Sequence, residues 1–283
     1  MSATAEEKHA RKVISGTFQQ LDIWQRMSGP FVPWSGSELV QDDHDWLPFP
    51  LSQVGYFRLV TAVEHLQAVR AHLDSTPVRL FPSAHLTLCR TALICSAQAV
   101  WVFGPDPREL RTARARTVQA YMYKQHSTYL GALQRWTPAR DADTDTVAAH
   151  IKLREQQLKD RRITDGQKAE LSTTKMIAEA ATEVLGPELA EEVVLEWRSG
   201  SGAAHGLSWH LFGTPGTEQV SVADRHGRAR RFKRAVPSSG WRTAICRRSD
   251  CSNMDGNFCA GGGREVSAAG AGVSAWFVHF VRV

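Results

Sequence analysis

The sequence has 283 residues, of which 42% are hydrophobic and 22% are charged, and its formal net charge is +5. An apolar fraction of this size excludes an intrinsically disordered chain, and a chain of this length buries roughly 75% of its unfolded surface on folding. Five cysteines over this length do not form a disulfide framework. The mild positive charge permits a polyanionic partner without requiring one.

The N-terminus and the apolar stretches bear on localisation. The first residues, MSATAEEKHARK, are charged and contain no apolar signal region. The longest apolar stretches, around 92–103 and 268–280, are shorter than the roughly 20 residues that a spanning helix needs. We therefore expect a cytoplasmic protein with reduced thiols and no membrane contact.

Hydrophobic periodicity predicts a series of helices in the first 212 residues. An aromatic and proline-rich loop over Phe31–Pro50 separates the first helix from the second. No segment in this part alternates convincingly as a strand, which favours an all-α helical bundle of about six to seven helices. The predicted helices cover residues 4–27, 51–73, 83–103, 107–136, 146–162, 169–185 and 188–212.

The composition changes after Gly213. Two short predicted strands, 217–223 and 228–236, flank a turn at Asp224-Arg225-His226-Gly227, in a segment rich in lysine and arginine. The remaining tail is rich in glycine and serine and has no periodicity. The sequence thus predicts three regions, which are an N-terminal helix with an aromatic loop (1–50), the helical bundle (51–212) and a basic extension with a β-hairpin (213–283).

Two sets of arginines have alternative interpretations. Arg90 is the one charge of the apolar helix 83–103, and it either reaches the edge of the core or serves a site. Four arginines at the start of the next helix form either a solvated face or a track for phosphates. These four are Arg108, Arg111, Arg114 and Arg116.

No metal or cofactor is expected. Cys246, Cys251 and Cys259 lack the paired spacing of a structural zinc site, and no phosphate-binding loop or dinucleotide motif is present. Cys89 and Cys95 lie in the apolar helix and are interpreted as small core residues.

One segment near the end of the last predicted helix, Glu196 to Gly206, has a chemical interpretation. If the helix continues, Arg198 and His205 lie two turns apart on one face, with Ser201 between them. Arginine binds anionic oxygens through its fork, and histidine transfers a proton near neutral pH. The alternative is structural, with Arg198 as a helix cap and His205 as a packed or exposed loop residue, because two glycines weaken a helix.

The Arg-x6-His spacing on a late helix of an all-α chain resembles the HEPN superfamily. The segment from Leu195 to Gly206 is similar to the Ser…His-Gly helix of bacterial HEPN-like proteins. The stretch Leu88–Phe103 looks like their central helix, and Ser172–Ile177 looks like the start of their penultimate helix. The resemblance covers roughly residues 55–212.

The resemblance implies a metal-independent ribonuclease whose two copies form a composite cleft. Arg198 would stabilise the phosphate and His205 would move the proton as the ribose 2′-hydroxyl attacks. Ser199, Ser201 and Arg90 are assigned to substrate binding. One departure is Ile94, which stands where relatives often have an acidic residue.

The leading hypothesis is therefore a HEPN-like ribonuclease acting as a toxin or phage-defence effector. Its expected partners are RNA, a second copy of the chain and an antitoxin or other regulator. The alternative is a noncatalytic HEPN-like module that binds RNA, nucleotide or another protein. A third hypothesis is a helical scaffold whose C-terminal tail performs the binding.

Overall fold

The computed structural model describes residues 12, 14–27, 29, 31–77, 79, 81–136, 142–167, 170–212, 217–221 and 231–234. This part of the chain is dominated by helices, which confirms the predicted all-α bundle. The helices are α1 (Phe18–Arg26), α2 (Glu38–Asp43), α3 (Leu51–Leu73), α4 (Pro82–Phe103), α5 (Arg108–Trp136), α6 (Ala142–Thr164), α7 (Thr173–Leu185), α8 (Pro187–Ala204) and α9 (Trp209–Phe212).

Helix α4 is the centre of the bundle. It contacts α3, α5, α7 and α8, and eleven of its residues are buried, from His85 to Phe103. A helix that is apolar nearly all round is stable in water only when neighbours cover most of its surface. Among the described helices, α4 also has the length and apolar composition of a membrane-spanning helix, a test that the core helix of a soluble protein passes as well.

Proline, serine and glycine determine where several helices begin. Pro82 and Pro187 occupy the first turn of α4 and α8, where the missing N–H has no partner to lose. The Ser172 hydroxyl accepts the N–H of Lys175 at 3.4 Å and caps α7. Gly186, with φ +85°, separates α7 from α8 and lets the chain reverse. The two helices therefore pack antiparallel.

The segment 31–50 differs in part from the predicted loop, because it contains the short helix α2. Its acidic residues face the start of α5. The Asp42 side chain is 1% exposed, and its Oδ2 accepts the Nε–H of Arg111 at 2.7 Å. Asp45 lies 3.3 Å from Arg116, also a buried arginine. Ion pairs therefore fix this segment to the bundle.

Neither interpretation describes the whole set of α5 arginines, because all four contact other parts of the fold, while Arg108 is also 47% exposed. Arg111 and Arg116 are buried, and Arg108 contacts Asp42 at 3.2 Å. Arg114 lies over the ring of Trp101 and contacts Glu179 of α7 at 3.3 Å. These side chains hold elements together and leave no continuous cationic track at the start of α5.

The two predicted strands are present as β1 (Thr217–Ser221) and β2 (Arg231–Arg234). They pair antiparallel, with Thr217 opposite Arg234 and an irregularity between Gln219 and Ser221. This confirms the β-hairpin pairing. Three predicted segments lie outside the described residues. They are the turn at 224–227, the first residues of the N-terminal helix and the tail after Arg234.

Candidate nucleic-acid site

The Arg198–His205 motif lies on α8, which packs closely against α4 at Gly200. A Cβ atom built on Gly200 would be 2.7 Å from the Cβ of Arg90 and 3.0 Å from the carbonyl oxygen of Leu86. Only glycine allows two helix backbones to approach this closely. The glycine that weakens the isolated helix is therefore the residue that brings α8 onto Arg90.

Arg90 is a half-buried cation without an acceptor among the described residues. Its Nε is buried and makes no hydrogen bond, and no carboxylate in the described part of the chain lies within ion-pair distance. Glu196, one turn before Gly200 on α8, makes no ion pair with it either. A buried guanidinium nitrogen without a partner is costly.

Two of the other predicted residues are the chain neighbours of the glycine that contacts Arg90. Ser199 and Ser201 flank Gly200 on α8, and both are half-buried. Arg198 is exposed on the same helix. This part of α8 thus carries an exposed arginine and two hydroxyls, and its glycine contacts a second arginine, on α4.

The position of His205 differs from the prediction. The predicted continuous helix to Phe212 is wrong. Helix α8 ends at Ala204, and His205 is its C-terminal capping residue. The Leu207 N–H donates to the Gly202 carbonyl at 2.9 Å and the Gly206 N–H donates to the Ala203 carbonyl at 3.1 Å. With φ +64° at Gly206, this is a Schellman motif. The His-Gly pair therefore has a structural role as a helix stop.

Although α8 stops before His205, this residue keeps the helical spacing from Arg198. Its N–H still donates to the Ser201 carbonyl at 3.1 Å, so it completes the last turn, and its side chain is exposed. Arg198 and His205 are about 10.5 Å apart along the helix axis. A nucleotide step that lies between them can contact both side chains. The negative end of the helix dipole at His205 favours an anion nearer to Arg198 and Arg90.

A histidine cluster that the sequence did not predict lies at the start of α4. Nδ1 of His72, at the end of α3, is 3.0 Å from Nε2 of His85, which is 2% exposed. Nε2 of His210 on α9 is 3.3 Å from the hydroxyl of Ser83. The predicted helices 51–73 and 83–103 put His72 and His85 on the two sides of one short connection. This closeness in the sequence is the signal from which the histidine pair could have been predicted.

The His72–His85 pair predicts a pH dependence of stability. Burial, and secondarily the nearby His72, lowers the pKa of His85 below its ordinary value of 6.5. The unfolded chain therefore takes up a proton first as the pH falls through 6.5. We expect the free energy of unfolding to decrease there with a slope of at most about 1.4 kcal/mol per pH unit from this group.

Urea unfolding between pH 7.5 and 5.5 measures this slope. His85→Gln should give a flatter curve, whereas the exposed His150→Gln should keep the wild-type slope. Equal slopes in all three proteins would show that His85 does not control the pH dependence.

The remaining predicted residues near the site are inert. Burial raises the pKa of the Cys89 thiol to about 12, so it stays protonated at neutral pH. Cys95 is buried, and Ile94 packs against the core. No group of three potential metal ligands occurs among the described residues, and Cys246, Cys251 and Cys259 lie outside them.

Comparison of the chain with models of known protein families finds no match, and neither do comparisons with curated proteins and with solved structures.

Proposed function

We propose that the protein is a metal-independent endoribonuclease of HEPN type that acts as a toxin or phage-defence effector. The observation that carries the proposal is that α8 presents Arg198 and His205 to solvent two turns apart, on the segment whose Gly200 packs against the Cβ of Arg90. An exposed arginine on the same helix as two serine hydroxyls suits an anionic oxygen of a phosphodiester. RNA supplies both that anion and the adjacent 2′-hydroxyl.

In the proposed reaction, the 2′-oxygen attacks phosphorus and forms a 2′,3′-cyclic phosphate while the bond from phosphorus to the 5′-oxygen breaks. His205, exposed at the end of α8, accepts the 2′-hydroxyl proton. The same histidine of a second copy in a composite cleft donates a proton to the 5′-oxygen. Arg198 and Arg90 stabilise the charge on the phosphate, which increases in the transition state.

Cleavage of labelled RNA by the full-length protein in the presence of EDTA tests this function. We expect wild type to leave 2′,3′-cyclic phosphate ends and His205→Ala to be slower by about 10² to 10⁴, because a positioned proton-transfer group contributes that factor. His150→Ala removes an exposed histidine on α6 and is the matched control. Equal rates for wild type and His205→Ala would remove His205 from the mechanism.

The alternative function is a noncatalytic RNA-binding or protein-interaction module. The observation that favours it is Ile94, which packs against the core where the resemblance leads one to expect an acidic residue. This function predicts that folded wild type binds RNA and leaves it intact. It also predicts that Arg90→Ala weakens binding while His205→Ala does not.

A further inference from the structure

The second half of α5 carries large exposed aromatic residues. The side chains of Tyr121, Tyr129 and Trp136 are 45%, 61% and 81% exposed. By contrast, Val118 one turn earlier is 1% exposed in the core. Exposed aromatic side chains at regular spacing on one helix indicate a contact surface for a partner.

The three aromatic side chains share one face of α5. At 100° per residue they lie within an arc of about 80°, and they extend over about 22 Å of the helix. Tyr123 and Leu130 are buried on the opposite side, where the Gln134 amide donates to Asp145 of α6 at 2.7 Å. Helix α6 therefore covers the other side of α5, and we call the face with Tyr121, Tyr129 and Trp136 the aromatic stripe.

The charge and composition around the stripe favour a nucleic acid. The segment from Tyr121 to Trp136 contains Lys124 and Arg135 and no carboxylate. Lys124 contacts Glu170 at 3.2 Å, and both side chains are more than half exposed. Aromatic rings beside cations bind single-stranded RNA, because every base can stack on a ring while the cations attract phosphates.

The same composition disfavours helix packing against a second copy. A helical seam requires branched aliphatic side chains at repeating positions. Between the rings, this face carries Gln125, Thr128 and Ala132, all exposed and none of them a branched aliphatic residue. The observations therefore support base stacking better than a protein seam.

The stripe lies at the end of the bundle that holds the candidate site. Helix α7 runs antiparallel to α5, since Arg114 contacts Glu179 and Glu183 while Lys124, further along α5, contacts Glu170. Helix α8 reverses at Gly186 and packs against α7, so its C-terminal half returns to the level of Lys124. The stripe thus begins level with the Arg198–His205 motif.

We propose that the aromatic stripe is an extended binding surface for single-stranded RNA, on which bases stack against Tyr121, Tyr129 and Trp136. This inference rests on the proposed function in that RNA is the ligand of the candidate site, which lies at the same level of the bundle. It adds a length requirement, because only a strand longer than the cleaved step reaches the stripe.

Binding of fluorescein-labelled 20-nucleotide oligoadenylate to the full-length chain tests the stripe. All proteins carry His205→Ala so that the RNA stays intact. We expect Tyr129→Ala with Trp136→Ala to weaken binding at least tenfold, and Trp136→Phe to retain most of the affinity. Trp34→Ala removes a 77% exposed tryptophan outside the stripe and should bind as its parent does. Far-ultraviolet circular dichroism checks that each variant is folded.

Unchanged affinity in the folded double variant would overturn the inference. It would also be overturned if light scattering showed that the double variant loses self-association while its RNA affinity stays the same, because the stripe would then be a protein interface. Cleavage with native His205 separates the two proposals. A dinucleotide should be cut equally by wild type and the stripe variant. If wild type cleaves no RNA at all, the proposed ribonuclease function is wrong, but the binding measurement still tests the stripe.

Discussion

Arg111→Met is expected to lower the free energy of unfolding by about 3 to 5 kcal/mol, because it leaves a buried carboxylate without its main partner. Arg111 donates to Asp42 at 2.7 Å and to Glu38 at 2.8 Å, and also to the carbonyl oxygens of Pro105 and Asp106. Asp42 is 1% exposed and, among the described residues, would keep only the ion pair with Arg108, at 3.2 Å. Because that contact remains, we expect the loss of unfolding free energy to lie at the lower end of this range.

Urea unfolding with linear extrapolation measures the loss. Arg108→Met is the matched control, because that side chain is 47% exposed and its removal should cost about 1 kcal/mol or less. Asp42→Asn in the Arg111→Met background should recover part of the stability, since it removes the stranded charge. A loss below 1 kcal/mol for Arg111→Met would contradict the importance of this pair.

Gly200→Ala is expected to destabilise the protein by about 2 kcal/mol, although alanine is the better helix former. The new methyl group would meet the Cβ of Arg90 at 2.7 Å and the Leu86 carbonyl at 3.0 Å. Both atoms belong to or adjoin the backbone of α4, so α8 must move away from α4. We also expect weaker RNA cleavage, because the movement separates Arg90 from the motif.

The matched control for this prediction is Gly131→Ala on α5. Its Cβ would meet only the end of the Arg135 side chain, at 3.7 Å. Without a clash, the helix preference of alanine should raise stability by about 0.5 to 1 kcal/mol. The two alanine substitutions therefore have opposite expected signs in the same unfolding experiment. A stabilising effect of Gly200→Ala would mean that the contact at Gly200 is looser than the structure indicates.

Much of the fold was predictable from the sequence because its signals are local. Apolar periodicity located the long helices, and Gly186-Pro187 marked the reversal between α7 and α8. Hairpin residues predicted the β1–β2 pairing in the same way. The end of α8 was missed, since a helix pattern continues to Phe212 and only the positive φ of Gly206 interrupts it.

The pairings between distant segments were not predictable. Asp42 and Arg111 have complementary charge, but nothing in their spacing selects one partner among many. The contact of Arg90 with Gly200 depends on how α4 and α8 cross, which a single sequence does not encode locally. The aromatic stripe has a regular spacing that could have been detected, but its exposure follows only from where the bundle ends.

The central position of α4 has a consequence for synthesis on the ribosome. Its apolar surface is complete at Phe103, whereas Ala204, the end of the helix that covers its last side, follows about 100 residues later. At ribosomal speeds this interval is roughly 5 to 20 s. During that time the emerging chain exposes the apolar surface of α4, because the helix α8 that packs on it has not been synthesised. We therefore expect chaperone supply to control the yield of this protein more than its final stability does.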